Sequence, residues 1–184
     1  MAEDVHAPGM DPVTLETERL LLRPFAPSDA DAVHAACQDP DIQHYTPVPS
    51  PYRPEDAEKF VTETVPRGWA TGRDHTLGAF TRHEAALVGS FGLSRISQGV
   101  YELGYWTAKE RRGRGYATEA ARALCDWGFA ALAAHRLEWW AMVGNDASRA
   151  LAERLGFALE GTLRHRGLAH GAPHDWWVGG LLKP

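Results

Sequence analysis

Apolar and small residues recur at Ala117, Ala120, Ala121, Leu124, Gly128 and Ala131. Steps of three and four along this run put them on one face of a helix. Just upstream, Tyr101-Glu102-Leu103-Gly104-Tyr105-Trp106-Thr107 is rich in aromatic residues and predicts a strand. Between the two stand Arg111, Arg112, Gly113, Arg114 and Gly115. The local order is therefore strand, basic glycine turn, helix.

The remaining pattern predicts elements on both sides of this unit. Met1 to about Pro12 is polar and proline-bearing, so residues 1–13 are expected to form a mobile tail before one domain at 14–184. Arg19 to Pro24 predicts the first strand. Ser28 is expected to cap a helix reaching about Cys37, with Asp29 and Asp31 in its first turn and Pro40 as its stop. Four prolines punctuate Asp39–Arg53, which predicts a stiffened loop, and Pro54 opens a second helix to about Val65. Thr76–Thr81 and Ala86–Leu93 predict a hairpin around Arg82-His83-Glu84. Arg136–Val143 predicts a strand, Ala147–Leu155 a helix ended by Gly156, and Leu159–His165 with Asp175–Leu182 two final strands around Gly167–Pro173. Strands and helices that alternate mainly in the middle define the α/β (α+β) class, a mixed sheet with helices on both faces.

Composition narrows the function. The 184 residues suit one domain, and 44% hydrophobic residues supply a core. A net charge of −5 makes no general case for nucleic acid, and the basic cluster at 111–114 is local, as a small polyanion would require. Cys37 and Cys125 show no metal spacing and read as free thiols in a reducing compartment. No apolar run approaches the ~20 residues of a membrane helix, and no secretory leader is evident, so a cytoplasmic location is expected.

The glycine turn carries the candidate chemistry. The first N–H groups of a helix lack internal partners and sit at the positive end of its dipole. Glycines let an anion approach them, which makes a site for phosphate. An ordinary strand-to-helix turn with solvated arginines is the competing reading. No Gly-Lys-Ser/Thr follows, and Thr118 stands where a dinucleotide fingerprint needs its third glycine. Arg112-Gly113-Arg114-Gly115-Tyr116-Ala117 resembles the acyl-CoA pyrophosphate loop of the GNAT acetyltransferase superfamily. The continuation to Ala120 is similar to its RimJ/RimL-type branch, which includes ribosomal-protein alanine N-acetyltransferases. Asn145-Asp146-Ala147-Ser148 and Leu155-Gly156-Phe157 resemble a second segment of that branch, in the right order.

The resemblance implies six to seven mostly antiparallel strands, about four helices and central strands that splay apart. It implies acetyl-CoA as co-substrate, held by Arg112, Gly113, Arg114, Gly115, Tyr116 and Ala117, with the thioester beside Trp106 and Thr107 and the pantetheine arm at Asn145 and Ser148. It also implies Glu102 as the base for the acceptor amine, with Glu160 as second candidate, and Ser148 as the hydroxyl that protonates the thiolate. Glu102 as a solvent-facing or arginine-paired carboxylate, and Ser148 as a helix-start hydroxyl, remain open beside those roles. The family's more common acid, a tyrosine beyond the fourth helix, is absent, since Phe157 is the sole aromatic residue from Ala141 to His174. Tyr45 and Tyr52 are assigned to the acceptor wall, with core packing as the alternative. His165, His170, His174 and Asp175 lack helical ligand spacing, and no metal is expected. Trp139-Trp140 and Trp176-Trp177 should each send one ring to either sheet face, with a homodimer surface left open. The expected reaction is direct acetyl transfer to a primary amine, from a protein N-terminus or a small molecule. A longer donor such as succinyl-CoA, or a non-catalytic CoA-binding module, stands as the alternative.

Overall fold

The computed structural model describes residues 9–169 and 171–184. The chain runs through β1 (Leu15–Glu16), β2 (Leu20–Arg23), a 3₁₀ turn, α1 (Ala30–Ala36), α2 (Pro40–Tyr45) and α3 (Pro54–Lys59). A π turn at Phe60–Thr64 leads to α4 (Val65–Thr71), then β3 (Asp74–Thr81), β4 (Leu87–Ser97) and β5 (Val100–Thr107). After the glycine turn come α5 (Tyr116–Ala131), β6 (Arg136–Met142), α6 (Asp146–Leu155), β7 (Ala158–Ala169) and β8 (Ala172–Leu182).

All eight strands form one sheet in the order β1-β2-β3-β4-β5-β6-β8-β7. Every pairing is antiparallel except β5 with β6. That parallel contact has three rungs, Val100 with Arg136, Tyr101 with Leu137 and Glu102 with Glu138, and then the strands part. Alternation along the strands assigns the two faces. His75, Leu93 and Leu103 are aligned across β3, β4 and β5 and buried, on the face under α5. Asp74, Ser94 and Glu102 are aligned on the other face. Farther along that second face Phe25 packs edge-on against Phe60 and Phe80, closing the core under the early helices.

The periodic run does form the longest helix, with Ala120, Ala121, Leu124, Cys125, Gly128 and Phe129 buried. Other boundaries differ from expectation for physical reasons. Pro40 starts a helix instead of stopping one: at a first-turn position its missing N–H costs nothing, and the Asp39 carboxylate accepts the Asp41 N–H at 3.2 Å. The helix from Pro54 passes Val65 because the π turn accommodates Pro66 in the first turn of α4. Asp29, not Ser28, ties down the turn before α1, accepting from the Ala26 N–H at 2.7 Å and from Arg23 at 2.7 and 3.0 Å. The last hairpin runs on to Ala169 and Ala172, with a register shift between Leu163 and Gly167 and a hydrogen bond from the His165 N–H to Asp175 Oδ1 at 2.9 Å. His170 lies outside the described residues. The sheet thus has eight strands where six to seven were expected, and six α-helices among the described residues where about four were.

Gly128 sets how closely α5 lies on the sheet. A Cβ there would come within 2.5 Å of Leu93 Cδ1, and Leu93 is fully buried. Gly128→Ala is therefore expected to destabilise the protein by about 1–3 kcal/mol through overpacking, although alanine is the better helix former. Chemical denaturation that shows a gain in stability instead would remove Gly128 from this spacing role.

Candidate active site

Where β5 and β6 diverge, the sheet opens into a cavity of about 1400 Å³. Its wall includes Glu102, Trp106 and Thr107 from β5, Gly113, Gly115, Tyr116 and Ala117 from the turn, and Asn145 and Ser148 at the start of α6. Tyr45 closes one side. Its hydroxyl donates to the Gly144 carbonyl at 3.3 Å, which ties α2 to the loop after β6.

The turn at 113–118 presents main-chain donors. Gly113 and Gly115 adopt φ of +73° and +78°, the left-handed region that glycine enters without strain. The first main-chain bond back into this turn runs from Glu119 N–H to the Gly115 carbonyl at 3.1 Å, and no described main-chain acceptor takes the N–H groups of residues 113–118. Such a row at the entry to a sixteen-residue helix suits a diphosphate.

Glu119 anchors this entry. Its carboxylate accepts from the Thr17 hydroxyl at 2.6 Å, the Arg19 N–H at 2.9 Å and Arg19 Nε at 2.6 Å. Burial pushes its pKa up, but these donors outweigh that effect and hold it below the ordinary value. Arg19 also lies over the Tyr116 ring at 4.7 Å and donates to the Arg114 carbonyl at 3.0 Å. The Arg114 side chain is exposed and lies off the cavity wall. Arg112 does line the cavity, but its guanidinium is already engaged: it donates to the Thr107 carbonyl at 3.1 Å, to Asp41 at 3.2 Å, and closely to Asp39.

Ser148 sits inside the fork between the diverging strands. Its Oγ is 2.8 Å from the Tyr105 hydroxyl of β5 and accepts from Trp139 Nε1 of β6 at 2.9 Å. Asn145 takes the capping role, with its Oδ1 accepting the Ser148 N–H at 3.2 Å. The Ser148 side chain is thereby free of the helix-start bond that was its competing role. No tyrosine follows α6, and the hydroxyl beside Ser148 comes from Tyr105, which the sequence reading missed. Burial is the main reason its phenol pKa rises to about 12, so it keeps its proton at any working pH. The available signal was parity: Tyr105 lies an odd number of positions from Glu102, hence on the opposite face, toward α6.

Glu102 is half-buried at the last rung before the fork. Burial, followed by the neighbouring Glu138, raises its pKa, with Arg166 opposing. Glu160 has a different environment. It is exposed and paired with Arg136 at 2.9 and 2.5 Å, which lowers its pKa and leaves it poorly suited to accept a proton. Tyr52 is not at the cavity. It is 5% exposed, stacked with His34 at 6.3 Å, and its phenol is pushed up by burial. The sequence offered a tyrosine in a proline-rich loop, but that loop folds the ring into the core. The tryptophan pairs divide as alternation requires. Trp139 is buried and stacked on Trp177 at 6.5 Å on one face, Trp140 and Trp176 lie on the other, and all but Trp177 reach the cavity wall.

Residues 19–158 match the acetyltransferase (GNAT) domain model, and the chain belongs to that family. It is 30% identical over 172 residues to the "uncharacterized N-acetyltransferase p20" of Bacillus licheniformis, covering 92% of this chain and 96% of that one. A GNAT-family acetyltransferase from Bacillus anthracis superposes with TM-score 0.81 at 25% identity, over 92% of this chain and 98% of that one. The fold is also shared with RimL, a ribosomal L7/L12 alpha-N-protein acetyltransferase solved with coenzyme A, at TM-score 0.83 and 21% identity over 92% and 98% of the two chains. The protein is thus an acyl-CoA-dependent N-acetyltransferase, with a mixed sheet of the kind its sequence resemblance implied.

The glycine turn generates a direct test. Gly115→Ala forces a side chain into φ +78°, a strain of about 1–2 kcal/mol, and is expected to weaken acetyl-CoA binding by about tenfold. Calorimetric titration with acetyl-CoA checks this, and an unchanged dissociation constant would clear the turn of a role in binding.

Proposed function

We propose that the protein transfers the acetyl group of acetyl-CoA to the α-amine of a protein N-terminus, by direct attack within a ternary complex. The observation that carries this reading is the fork itself. It sets open main-chain donors and the Tyr105–Ser148 hydroxyl pair around one cavity with Glu102, which lies on the opposite face of β5. In this reading the diphosphate rests on the N–H groups of 113–118 and the pantetheine arm runs past Asn145. The thioester then enters between β5 and β6, where main-chain groups released from pairing can meet the acyl oxygen.

The acceptor amine approaches from the Glu102 side. One proton passes from its ammonium nitrogen to a Glu102 oxygen, and the freed lone pair attacks the acyl carbon. An α-amine, with pKa near ~7.7–8.0, asks far less of such a base than a lysine side chain near ~10.4. As the tetrahedral adduct collapses, the C–S bond breaks and the nitrogen gives up a second proton to solvent. The leaving sulfur takes a proton from the Ser148 hydroxyl, the Ser148 oxygen takes the Tyr105 proton in the same step, and solvent returns one proton to Tyr105. Trp139 N–H donates to Ser148 Oγ and holds it 2.8 Å from the Tyr105 hydroxyl, so that a proton can pass between the two hydroxyls in this step. The fold shared with an α-N-protein acetyltransferase also supports the choice of acceptor. Two buried free cysteines and the use of acetyl-CoA support a cytoplasmic setting, and no helix among the described residues is long and apolar enough to cross a membrane.

Mass spectrometry after incubation with acetyl-CoA and a mixture of free-N-terminus peptides, N-terminally blocked lysine peptides, polyamines and amino sugars tests the acceptor. Acetylation of the free N-termini is expected, and product on polyamines or amino sugars alone would overturn the reading. Glu102→Gln is expected to lower kcat by about 10²-fold and to abolish its acidic limb, because the raised pKa of Glu102 makes activity fall as pH drops through it. Ser148→Ala and Tyr105→Phe should lower kcat and leave acetyl-CoA affinity nearly intact. Equal losses in both parameters would assign the pair to binding.

A further inference from the structure

Glu138 lies beside Glu102 but does not line the cavity. The two are Cα partners on the last rung that joins β5 to β6, so adjacent strands ~4.8 Å apart present two carboxylates on the same face. Like charges at that distance are unfavourable unless something holds one of them in place. Glu138 is held. Arg136 Nε donates to its Oε1 at 2.8 Å and Trp140 Nε1 donates to its Oε2 at 2.9 Å, and the Glu138 side chain is only 17% exposed. Arg136 is in turn gripped by Glu160 through both terminal nitrogens. Gly180 leaves room for that grip, since a Cβ there would fall 2.4 Å from Arg136 Nη1 and 2.6 Å from Glu160 Oε1. Arg166 stacks over the Trp140 ring at 4.9 Å, which steadies the indole.

We propose that Glu138 is a positioning residue for the transfer: its clamped, ionised carboxylate is a fixed negative charge behind Glu102 that makes Glu102 a stronger proton acceptor. This rests on the reading of Glu102 as the base. The groups that face Glu102 are Glu138 from β6, Asp74 from β3 and Arg166 from β7. Arg166 is exposed, so its opposing influence is screened by solvent, and Asp74 acts in the same direction as Glu138. Of the three only Glu138 is locked by two donors at the fork. The clamp also accounts for the pairing, because Arg136 and Trp140 satisfy both oxygens of Glu138 and hold them in place beside Glu102.

The test is the pH dependence of kcat at saturating acetyl-CoA, using a peptide with a free N-terminus. Glu138→Gln keeps an oxygen for Trp140 N–H and removes the charge. The acidic limb is expected to move about half to one unit toward lower pH, with kcat on the plateau reduced and acetyl-CoA affinity unchanged. Glu138→Asp should bring the limb part of the way back. If the limb stays in place in Glu138→Gln while Glu102→Gln abolishes it, the proposal fails and the base assignment survives. If the limb persists in Glu102→Gln, the base assignment itself fails and takes the proposal with it. Should Glu138→Gln not fold, Trp140→Phe removes one of the two clamping donors. A smaller shift in the same direction supports the proposal, and an unmoved limb overturns it.

Discussion

The early end of pairing between β5 and β6 is the constraint on which the site depends. Two strands that leave one another after three rungs expose main-chain groups that a continuous sheet would consume. Buried main-chain donors and acceptors need partners, so a gap of this kind persists only where a ligand or water can supply them. Side chains stand at the fork on both faces. On one face Ser148 wedges between Tyr105 and Trp139, one from each strand. On the other, Glu102 and Glu138 face one another on the last rung before the strands part. The hydroxyls and carboxylates proposed to serve the reaction thus stand where the strands part.

The helix α5 gives this fork its orientation. It packs on the sheet closely enough that Gly128 admits no side chain, and its first turn is pinned through Glu119 to the start of β2. Together these contacts set the open N–H row at one end of the cavity. The electrostatics follow the division of labour. Glu119 is kept ionised by its donors, so its contribution to stability is present above the ordinary carboxylate range and is lost as pH falls through its lowered value. Glu102 behaves in the opposite sense. Its raised value means that folding gains from its protonated form at low pH, and that gain disappears as pH rises through the folded value.

Most of the central unit was legible in the sequence because its signals are local. A three-four period, two glycines ahead of a helix and an aromatic strand each act within a few residues, and α5, its turn and β5 lie where those signals put them. The mixed sheet also followed from the order of elements. What escaped was set by long-range geometry. Tyr105 was passed over because its meeting with Ser148 spans 43 positions and depends on which strand face turns toward α6. Glu138 carried no motif at all, since its position beside Glu102 is a property of parallel register. Tyr52 misled because a proline-rich loop can bury an aromatic ring as well as present it. Pro40 misled because a proline that ends one helix is equally suited to begin the next.

The outer margin of the sheet has its own consequence. β7 is the terminal strand, largely exposed, broken by register shifts at Leu159/Gly161 and Leu163/Gly167, and studded with Arg164, His165 and Arg166. A bulged, cationic border offers poor main-chain complementarity to an unpaired strand from another molecule. The enzyme can therefore keep a long hairpin exposed beside its cavity without that hairpin seeding sideways growth of the sheet into an aggregate.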